Sequence, residues 1–165
     1  MIIKKIWGKI KDMGKKYDMG LAGLDSYEPR RIEAGILNAG SDFDGTTNPF
    51  QIGLGKLVDL NKNNFLGKVS LIKTKKTNQL FGLNCQKGIP KWKGCVFKND
   101  LIIGTVTCGT FSPFLQKGIG FVFFDNLVEE TNSVVQIECV DGSVQEAIIT
   151  NLPMYDEDKN IPKDS

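Results

Sequence analysis

The sequence predicts an α+β protein, with an N-terminal helix and a mixed helical and extended portion followed by a small antiparallel β-barrel or sandwich. Apolar residues recur at steps of three and four over residues 1–17, which is the spacing of one helical face. Beyond residue 79, six short segments rich in β-branched and aromatic residues alternate with turn residues. The length of 165 residues permits one domain of ordinary size or two small ones.

The first predicted element is an amphipathic helix over residues 1–17. Its apolar residues share one face, and lysines occupy the opposite face. A basic amphipathic helix of this kind either docks on a protein core or lies on a membrane surface, and we expect docking. Gly14 and Gly20 weaken the end of the helix and permit it to stop.

Residues 31–68 are the stretch around which the chain is organised, and glycines punctuate them throughout. Arg31, Glu33 and Asp42 stand among apolar residues, where an unpaired charge is costly to bury. These charges must therefore be paired or face solvent. We expect a looped platform, with a polar cavity beside residues 27–44.

Local patterns within the platform predict short elements. Residues 32–37 are compatible with helix or strand, and so are residues 65–72. Asn48 precedes Pro49 and is a suitable cap for a short helix that begins there. Residues 55–60 alternate between apolar and polar types, which predicts a strand.

A polar, charged segment at residues 73–78 predicts a domain boundary. We therefore expect one domain over residues 1–73 and a second over residues 79–155. The remaining residues, 156–165, are polar, and we expect them to form a fraying tail.

Six predicted strands fill the second domain. Asn99-Asp100 and Asp141-Gly142 are turn signals of β-hairpins. The predicted strands span residues 80–83, 95–97, 101–108, 119–124, 133–140 and 143–151.

Composition narrows the classes of function. A formal net charge of +2 is too small to favour binding of nucleic acid, so we expect no such partner. The chain has no histidine, which removes the usual general base and the commonest metal ligand. Its four cysteines form no CxxC pair, so we expect reduced thiols, a cytoplasmic location and no metal site. No apolar run is long enough to span a membrane, and we expect no membrane partner.

Five carboxylates are candidates for acid–base chemistry if they are buried, because burial raises the pKa of a carboxyl group. Asp42 and Asp44 fit a turn better, where an aspartate binds its own backbone. Glu33 fits pairing with a nearby arginine or capping of backbone amides. The five candidates are Asp25, Glu28, Glu33, Asp42 and Asp44.

Arg30 and Arg31 are the only arginines in the sequence. A guanidinium binds a carboxylate through two parallel hydrogen bonds, either within the protein or on a ligand. For Arg31 we favour internal pairing over contact with a ligand. Ser112 has neither a histidine partner nor a GxSxG context, so hydrolase chemistry is unsupported.

Several motifs in one order resemble those of a known family. They are IW in the N-terminal helix, RIEAG at residues 31–35, GSDFD at residues 40–44, TNPFQIGL at residues 47–54, FLGK at residues 65–68, and GTVTCGTFSPFLQKGIGFVF at residues 104–123. Over residues 6–153 they resemble the C-terminal half of the glycine cleavage system T protein, the aminomethyltransferase. The resemblance implies tetrahydrofolate as cofactor, one-carbon transfer to its N5/N10 region, and a β-barrel as the last domain.

The resemblance also implies a cofactor site. The family carries A-R-D-S-L-R, whose last arginine opens the block R-x-E-A-G. Aligned without gaps, Tyr27 stands in place of the first arginine, Glu28 replaces the aspartate, and Arg31 keeps the second arginine. We therefore expect Tyr27, Glu28 and Arg31 to contact folate, with Tyr27 hydrogen-bonding to the ring or stacking on it. Loss of the first arginine favours a divergent branch, similar to dimethylsulfoniopropionate demethylase.

Proteins of this family are much longer than this chain, and their catalytic aspartate lies in a half that has no counterpart here. We therefore expect no catalytic residue in this sequence, and a surface for an N-terminal half or a partner subunit. A fragment, a subunit of a split gene and an artificially shortened protein stay open as alternatives. Two other functions also stay open: a non-catalytic interaction module that keeps the fold, and a barrel that binds nucleic acid.

Overall fold

The computed structural model describes residues 2–125, 129–156, 158 and 160. Within this part, three α-helices and three 3-10 turns precede six strands. The helices are α1 (Ile2–Gly14), α2 (Tyr27–Glu33) and α3 (Lys68–Lys73), and the 3-10 turns are Lys15–Tyr17, Leu24–Ser26 and Gly55–Leu57. The strands are β1 (Leu80–Cys85), β2 (Cys95–Lys98), β3 (Leu101–Ser112), β4 (Lys117–Phe124), β5 (Val134–Glu138) and β6 (Val144–Thr150).

The six strands close into an antiparallel barrel in the order β1-β4-β3-β2-β5-β6, with β6 paired back to β1. Side chains that alternate along the strands fill its interior, among them Leu83, Val122 and Phe124, which are fully buried. Between β2 and β3, Asn99 and Asp100 both have positive φ, 49° and 63°, as a two-residue hairpin turn requires. The predicted α+β class with a small barrel is confirmed, and closure of the sheet decides for a barrel over a sandwich.

The segment between β1 and β2 passes against β3 and β4 at two glycines. A Cβ atom on Gly109 would lie 1.9 Å from the carbonyl oxygen of Pro90, and one on Gly118 would lie 1.8 Å from that of Gly88. A side chain does not fit at either distance, so close backbone approach requires glycine at both positions. These glycines are therefore part of the barrel's packing.

The platform packs on the outer face of β4. A second apolar cluster joins Ile32 of α2 and Ile52 to Ile119 and Phe121. Ile119 and Phe121 alternate along β4 with Val122 and its inward-facing neighbours, so they point out of the barrel towards the platform. The platform thus buries its few core residues on the barrel.

The predicted strand at residues 55–60 is wrong. Gly55–Leu57 is a 3-10 turn, closed by a hydrogen bond of 3.1 Å from the N–H of Val58 to the carbonyl of Gly55. A strand needs a neighbouring strand for its backbone groups, whereas these groups are satisfied within the turn. The apolar and polar alternation here therefore does not reflect a sheet, and Leu57 is 80% exposed.

The helix predicted to begin at Asn48-Pro49 is also wrong. The Asn48 side-chain oxygen accepts a hydrogen bond of 2.9 Å from the N–H of Phe50, as a cap does. The bonds that follow are those of turns: the N–H of Gly53 donates to the carbonyl of Phe50 at 3.3 Å, and that of Leu54 donates to Pro49, five positions back, at 2.9 Å. Neither spans the four positions of an α-helical bond. Gly53 has a φ of 74°, which is incompatible with a right-handed helix, so the segment stays a turn.

Residues 65–72 and 32–37 have patterns that are compatible with helix or strand, and neither forms a strand. Residues 65–72 contain most of α3. In residues 32–37, α2 ends after Glu33, and Gly35 turns the chain with a φ of 67°.

Helix α1 forms where it was predicted, but its apolar face does not dock on this chain's own core, so that expectation is wrong. Gly14 is the only buried residue within the described helix, and the side chain of Met19 folds over it. Ile3 is 83% exposed and Trp7 is 49% exposed. Helix α1 contributes no residue to either apolar cluster. Its apolar face is therefore open to another surface.

None of the helices that the structure describes combines the length and the hydropathy needed to cross a bilayer. Of the predicted N-terminal helix, Met1 lies outside the described residues, as do residues 157, 159 and 161–165 of the predicted tail.

Candidate cofactor-binding site

Glu28 and Arg31 form an ion pair on one side of α2. They stand three positions apart, so their side chains lie on neighbouring turns of the helix. The Nε atom of Arg31 donates to both carboxylate oxygens of Glu28 at 3.0 Å, and Nη2 lies 2.8 Å from Oε2. The Arg31 side chain is 3% exposed, whereas that of Glu28 is 44% exposed. The buried arginine therefore binds a glutamate that is itself only half-exposed.

Asp42 holds the same arginine from the other side. Its Oδ2 atom lies 2.8 Å from Nη1 of Arg31 and also accepts a hydrogen bond of 2.8 Å from the N–H of Asn38. Its Oδ1 atom accepts a hydrogen bond of 2.8 Å from the hydroxyl of Thr107 on β3. Nη1 of Arg31 also donates to the carbonyl of Ile36 at 3.2 Å. We call Glu28, Arg31, Asp42 and Thr107 the arginine network, and it connects the surface of α2 to the barrel.

The electrostatics of the arginine network favour a charged arginine and a neutral thiol. Burial tends to lower the pKa of Arg31, but its hydrogen bonds to Glu28 and the negative charge of Asp42 outweigh burial, so the net pKa is raised. Burial, reinforced by the negative charge of Asp42, raises the pKa of Cys108 to about 12. Cys108 is therefore protonated at neutral pH, and a protonated thiol is a poor nucleophile.

A second polar contact ties α2 to the barrel. The hydroxyl of Ser112, at the end of β3, donates to Oε1 of Glu33 at 2.5 Å and accepts from the N–H of Leu115 at 2.9 Å. The Glu33 carbonyl accepts from the N–H of Met154 at 2.9 Å. The partner expected for the Glu33 carboxylate was an arginine or a backbone amide, and that expectation is wrong. Ser112 acts here as a structural hydroxyl.

The three predicted cofactor contacts differ in their exposure to solvent. Glu28 and Arg31 are brought together, and Tyr27 opens the same helix with its residue 47% exposed. Arg31, by contrast, is buried and uses all three nitrogens within the protein, which is the internal pairing that the sequence analysis favoured. Its direct contact with folate stays a prediction.

The expected polar cavity at residues 27–44 takes a different form. Arg31, Glu33 and Asp42 are 3%, 5% and 2% exposed, and they fill the contact between α2 and β3 with polar groups. The exposed part of the candidate site is therefore the first turn of α2. Among the described residues, no three histidine, cysteine, aspartate or glutamate side chains group as metal ligands would.

Sequence reasoning missed one member of the arginine network, Thr107, and left the partner of Asp42 open. Asp42 was interpreted mainly as a turn residue, and it does bind the nearby N–H of Asn38. Its placement among apolar residues was the signal that it also pairs with a charge. Thr107 lies 65 positions further along the chain, and a hydroxyl on a strand carries no comparable signal.

Two family models match the chain in succession. Residues 2–62 match the model described as "GCVT N-terminal domain", and residues 78–156 match the "Glycine cleavage T-protein C-terminal barrel domain". The second match contains all six strands of the barrel.

Proteins of known name align with most of the chain. An aminomethyltransferase of Lysinibacillus sphaericus is 32% identical over 161 residues, which is 95% of this chain and 44% of the relative. One of Thermotoga maritima is 34% identical over 92% of this chain and 42% of its own length. One of Aquifex aeolicus is 39% identical over 70% of this chain and 33% of its own. The chain thus spans less than half the length of these relatives.

The fold is that of a solved aminomethyltransferase. The crystal structure of the glycine cleavage system aminomethyltransferase T from Bartonella henselae superposes with a TM-score of 0.78 at 21% identity, over 91% of this chain and 45% of that one. The platform and barrel therefore define an aminomethyltransferase-type fold. With both family models matched in order, the chain belongs to the glycine cleavage T-protein family.

Proposed function

We propose that this chain forms the C-terminal part of a tetrahydrofolate-dependent one-carbon transferase. The observation that carries the proposal is the succession of the two family models along one chain, together with relatives named aminomethyltransferase that align across both matches. The division at residues 73–78 into a cofactor-binding part and a barrel belongs to the same proposal. A non-catalytic module that keeps the fold is the less favoured alternative, because the relatives carry the name of an enzyme.

The exposed residues of α2 suit a folate ring chemically. The aminopyrimidinone edge of the ring presents N–H donors. A carboxylate has about four lone-pair sites, so the Glu28 oxygens that accept from Arg31 can also accept from the ring. Glu28 offers its carboxylate at the surface, with Arg31 paired to it to fix its orientation. Tyr27 offers an aromatic face and a hydroxyl beside it. When bound, tetrahydrofolate accepts the one-carbon unit at its N5/N10 region.

Arg31 and Asp42 act in this proposal as positioning residues. Arg31 fixes the Glu28 carboxylate, and Asp42 fixes Arg31 from the barrel side. The residues that touch the cofactor are then Tyr27 and Glu28. Hydrogen bonds of this kind, behind a residue that contacts a ligand, hold that residue in the orientation that binding requires.

The donor in this proposal is an aminomethyl group. The relatives quoted above carry that name. A methylated small molecule, as in the demethylase-like branch, is supported by Tyr27 alone, which stands where the family has arginine.

Calorimetry with tetrahydrofolate tests the proposal. The titrated sample is this chain purified together with the segment of the Lysinibacillus sphaericus relative that lies outside the aligned 44%. We expect saturable heat, and a loss of affinity of at least about tenfold in Glu28→Gln, because a hydrogen bond to a charged group contributes about 1.5–3 kcal/mol.

The control variant is Asp44→Asn, which changes an exposed carboxylate that binds Thr46 within its own turn. It should leave the affinity unchanged. A stable complex that releases no heat with tetrahydrofolate would contradict the proposed function.

A further inference from the structure

We propose that the apolar face of α1 is a docking surface for a polypeptide whose own apolar surface is edged by acidic side chains. The proposal rests on the proposed function in one respect, the choice of partner. Because α1 lies within the match to the GCVT N-terminal domain, we take the partner to be a polypeptide that supplies the rest of such a domain. We call this surface the α1 face. It consists of Ile2, Ile3, Ile6, Trp7, Ile10 and Met13, each between 46% and 83% exposed.

The α1 face is a continuous stripe. Its members recur at steps of three and four, so they cover one side of a helix of 13 residues. At a rise of about 1.5 Å per residue the stripe is about 20 Å long. Large apolar side chains in one exposed patch are unusual on a protein surface and mark sites of interaction.

The helix needs a surface to pack on. Isolated helices shorter than about 12–15 residues are marginal in water, and most helical stability in proteins comes from burying an apolar face. Apart from the 3-10 turn Lys15–Tyr17 and Met19, α1 has little of the described chain to pack against. A complementary surface would therefore stabilise α1 as it binds.

Charge selects among the occupants. Residues 2–17 contain six lysines and one acidic residue, Asp12. A second copy of this chain would bring two lysine-rich helices together, which like charges oppose. The long lysine side chains reach round the helix, so acidic residues around the apolar centre of a partner can pair with them.

Exposed apolar side chains continue along the sequence past the helix, up to the candidate cofactor site. Leu21 and Leu24 are 61% and 82% exposed, and Tyr27, the next exposed apolar residue in the chain, opens α2. An amphipathic helix that binds a lipid surface lies in the plane of the membrane. Here the exposed apolar residues extend beyond the helix into a non-helical connection. A folded partner fits both parts, and when docked it reaches the sequence that leads into Tyr27.

Fluorescence of a single tryptophan tests the proposal directly. The chain has two tryptophans, so Trp92→Phe leaves Trp7 as the only one. The probe is the segment of the Lysinibacillus sphaericus aminomethyltransferase that lies outside the aligned 44%. We expect the Trp7 emission to shift to shorter wavelength on mixing, because docking removes the ring from water.

Copurification of the two polypeptides after coexpression provides a second measurement, which does not require the probe to fold alone. Trp7→Glu should weaken the complex at least about tenfold, as loss of a central aromatic anchor does. The matched control is Trp92→Glu, which makes the same change at a tryptophan that is 57% exposed on the barrel segment. It should copurify as the parent does.

The same single-tryptophan chain tests the two other possible occupants of the α1 face, a lipid surface and a second copy of the chain. It is titrated with vesicles of anionic phospholipid, and separately concentrated without any addition. A shift with vesicles but not with the polypeptide would overturn the proposal, as would a shift on concentration alone or no shift in any arm. A complex that forms but binds no tetrahydrofolate would refute the proposed function and leave the docking surface standing.

Discussion

The barrel and the platform differ in how they bury their apolar residues. In the barrel, Val96, Phe124 and Ile149 come from three different strands and are fully buried in one cluster. In residues 2–73, the buried hydrophobic residues are Ile32 and Ile52. A closed sheet has no edges and surrounds its own core, whereas a helix buries one stripe and needs another layer beside it. The comparison shows that a barrel completes itself, while the platform depends on what lies next to it.

The contact between the two regions follows a third pattern, because buried polar groups specify it. Arg31 is linked to Thr107 of β3 through Asp42, and Glu33 accepts a hydrogen bond from Ser112 at the end of β3. Apolar contacts tolerate sliding, whereas a buried charge with fixed partners tolerates little. We infer that these pairs set the register of α2 on β3.

The largest expected effect comes from breaking the barrel core. Phe124→Ala removes a fully buried ring and should lower the free energy of unfolding by about 3–5 kcal/mol. Urea denaturation followed by circular dichroism measures the change. The same substitution at Phe114, which is 60% exposed, is the control and should change the midpoint little. Equal losses in the two variants would mean that the barrel core is not where the stability resides.

The second effect comes from the arginine network. Asp42→Asn leaves the shape of the side chain but removes one of the two charges that face buried Arg31. Breaking a buried pair costs about 3 kcal/mol or more, because the remaining charge stays buried with fewer partners. Denaturation at low and high salt measures the loss, which should persist at high salt since the pair is shielded from water.

Thr107→Val tests the barrel side of the same network. It removes the hydroxyl that donates to Asp42 and should cost about 1.5–3 kcal/mol, as a hydrogen bond to a charged group does. The double variant with Asp42→Asn should cost less than the sum of the single variants, because both changes act on one interaction. Additive losses would show that Thr107 and Asp42 contribute independently.

The sequence predicted the barrel well because its information is local. Alternation along each strand and the turn residues Asn99-Asp100 mark the strands without knowledge of their partners. It predicted the platform less well: Leu57 sits in an alternating pattern but lies in a 3-10 turn. The distant pairing of Asp42 with Thr107 has no local signature at all. Docking of α1 could not be decided from the helix, since an apolar stripe does not identify its partner.

Titration of Cys108 should give a smaller effect that depends on pH. Its thiol has a pKa of about 12 in the folded protein against an ordinary value of 9.0. Below pH 9 both states hold the proton, and the stability is fully present. As the pH rises from 9 towards 12, the unfolded chain loses the proton first, so the free energy of unfolding falls. The loss at pH 10 is on the order of 1 kcal/mol.

Cys108→Ala isolates this contribution. The variant lacks the thiol, so its stability should fall less between pH 8 and pH 10 than that of the parent. The pKa of Cys139 is also raised, to about 11, by burial and by the neighbouring Cys85. Cys139 is present in both proteins, so its contribution cancels in the difference between the two pH curves. Parallel pH curves for the two proteins would mean that Cys108 ionises equally in the folded and unfolded chains.

The smallest effect is expected at Ile10 of the α1 face, outside both the platform and the barrel. Ile10 is 46% exposed, so Ile10→Ala removes few contacts within the chain and should change the free energy of unfolding by less than about 0.5 kcal/mol. The matched variant is Ile149→Ala in the barrel, where the same side chain is fully buried and should cost about 2–5 kcal/mol. A loss at Ile10 as large as that at Ile149 would mean that α1 is packed within this chain. A near-zero loss at Ile10 that grows once the polypeptide partner is bound would show that the apolar stripe of α1 stabilises a complex, as the barrel's apolar residues stabilise the barrel.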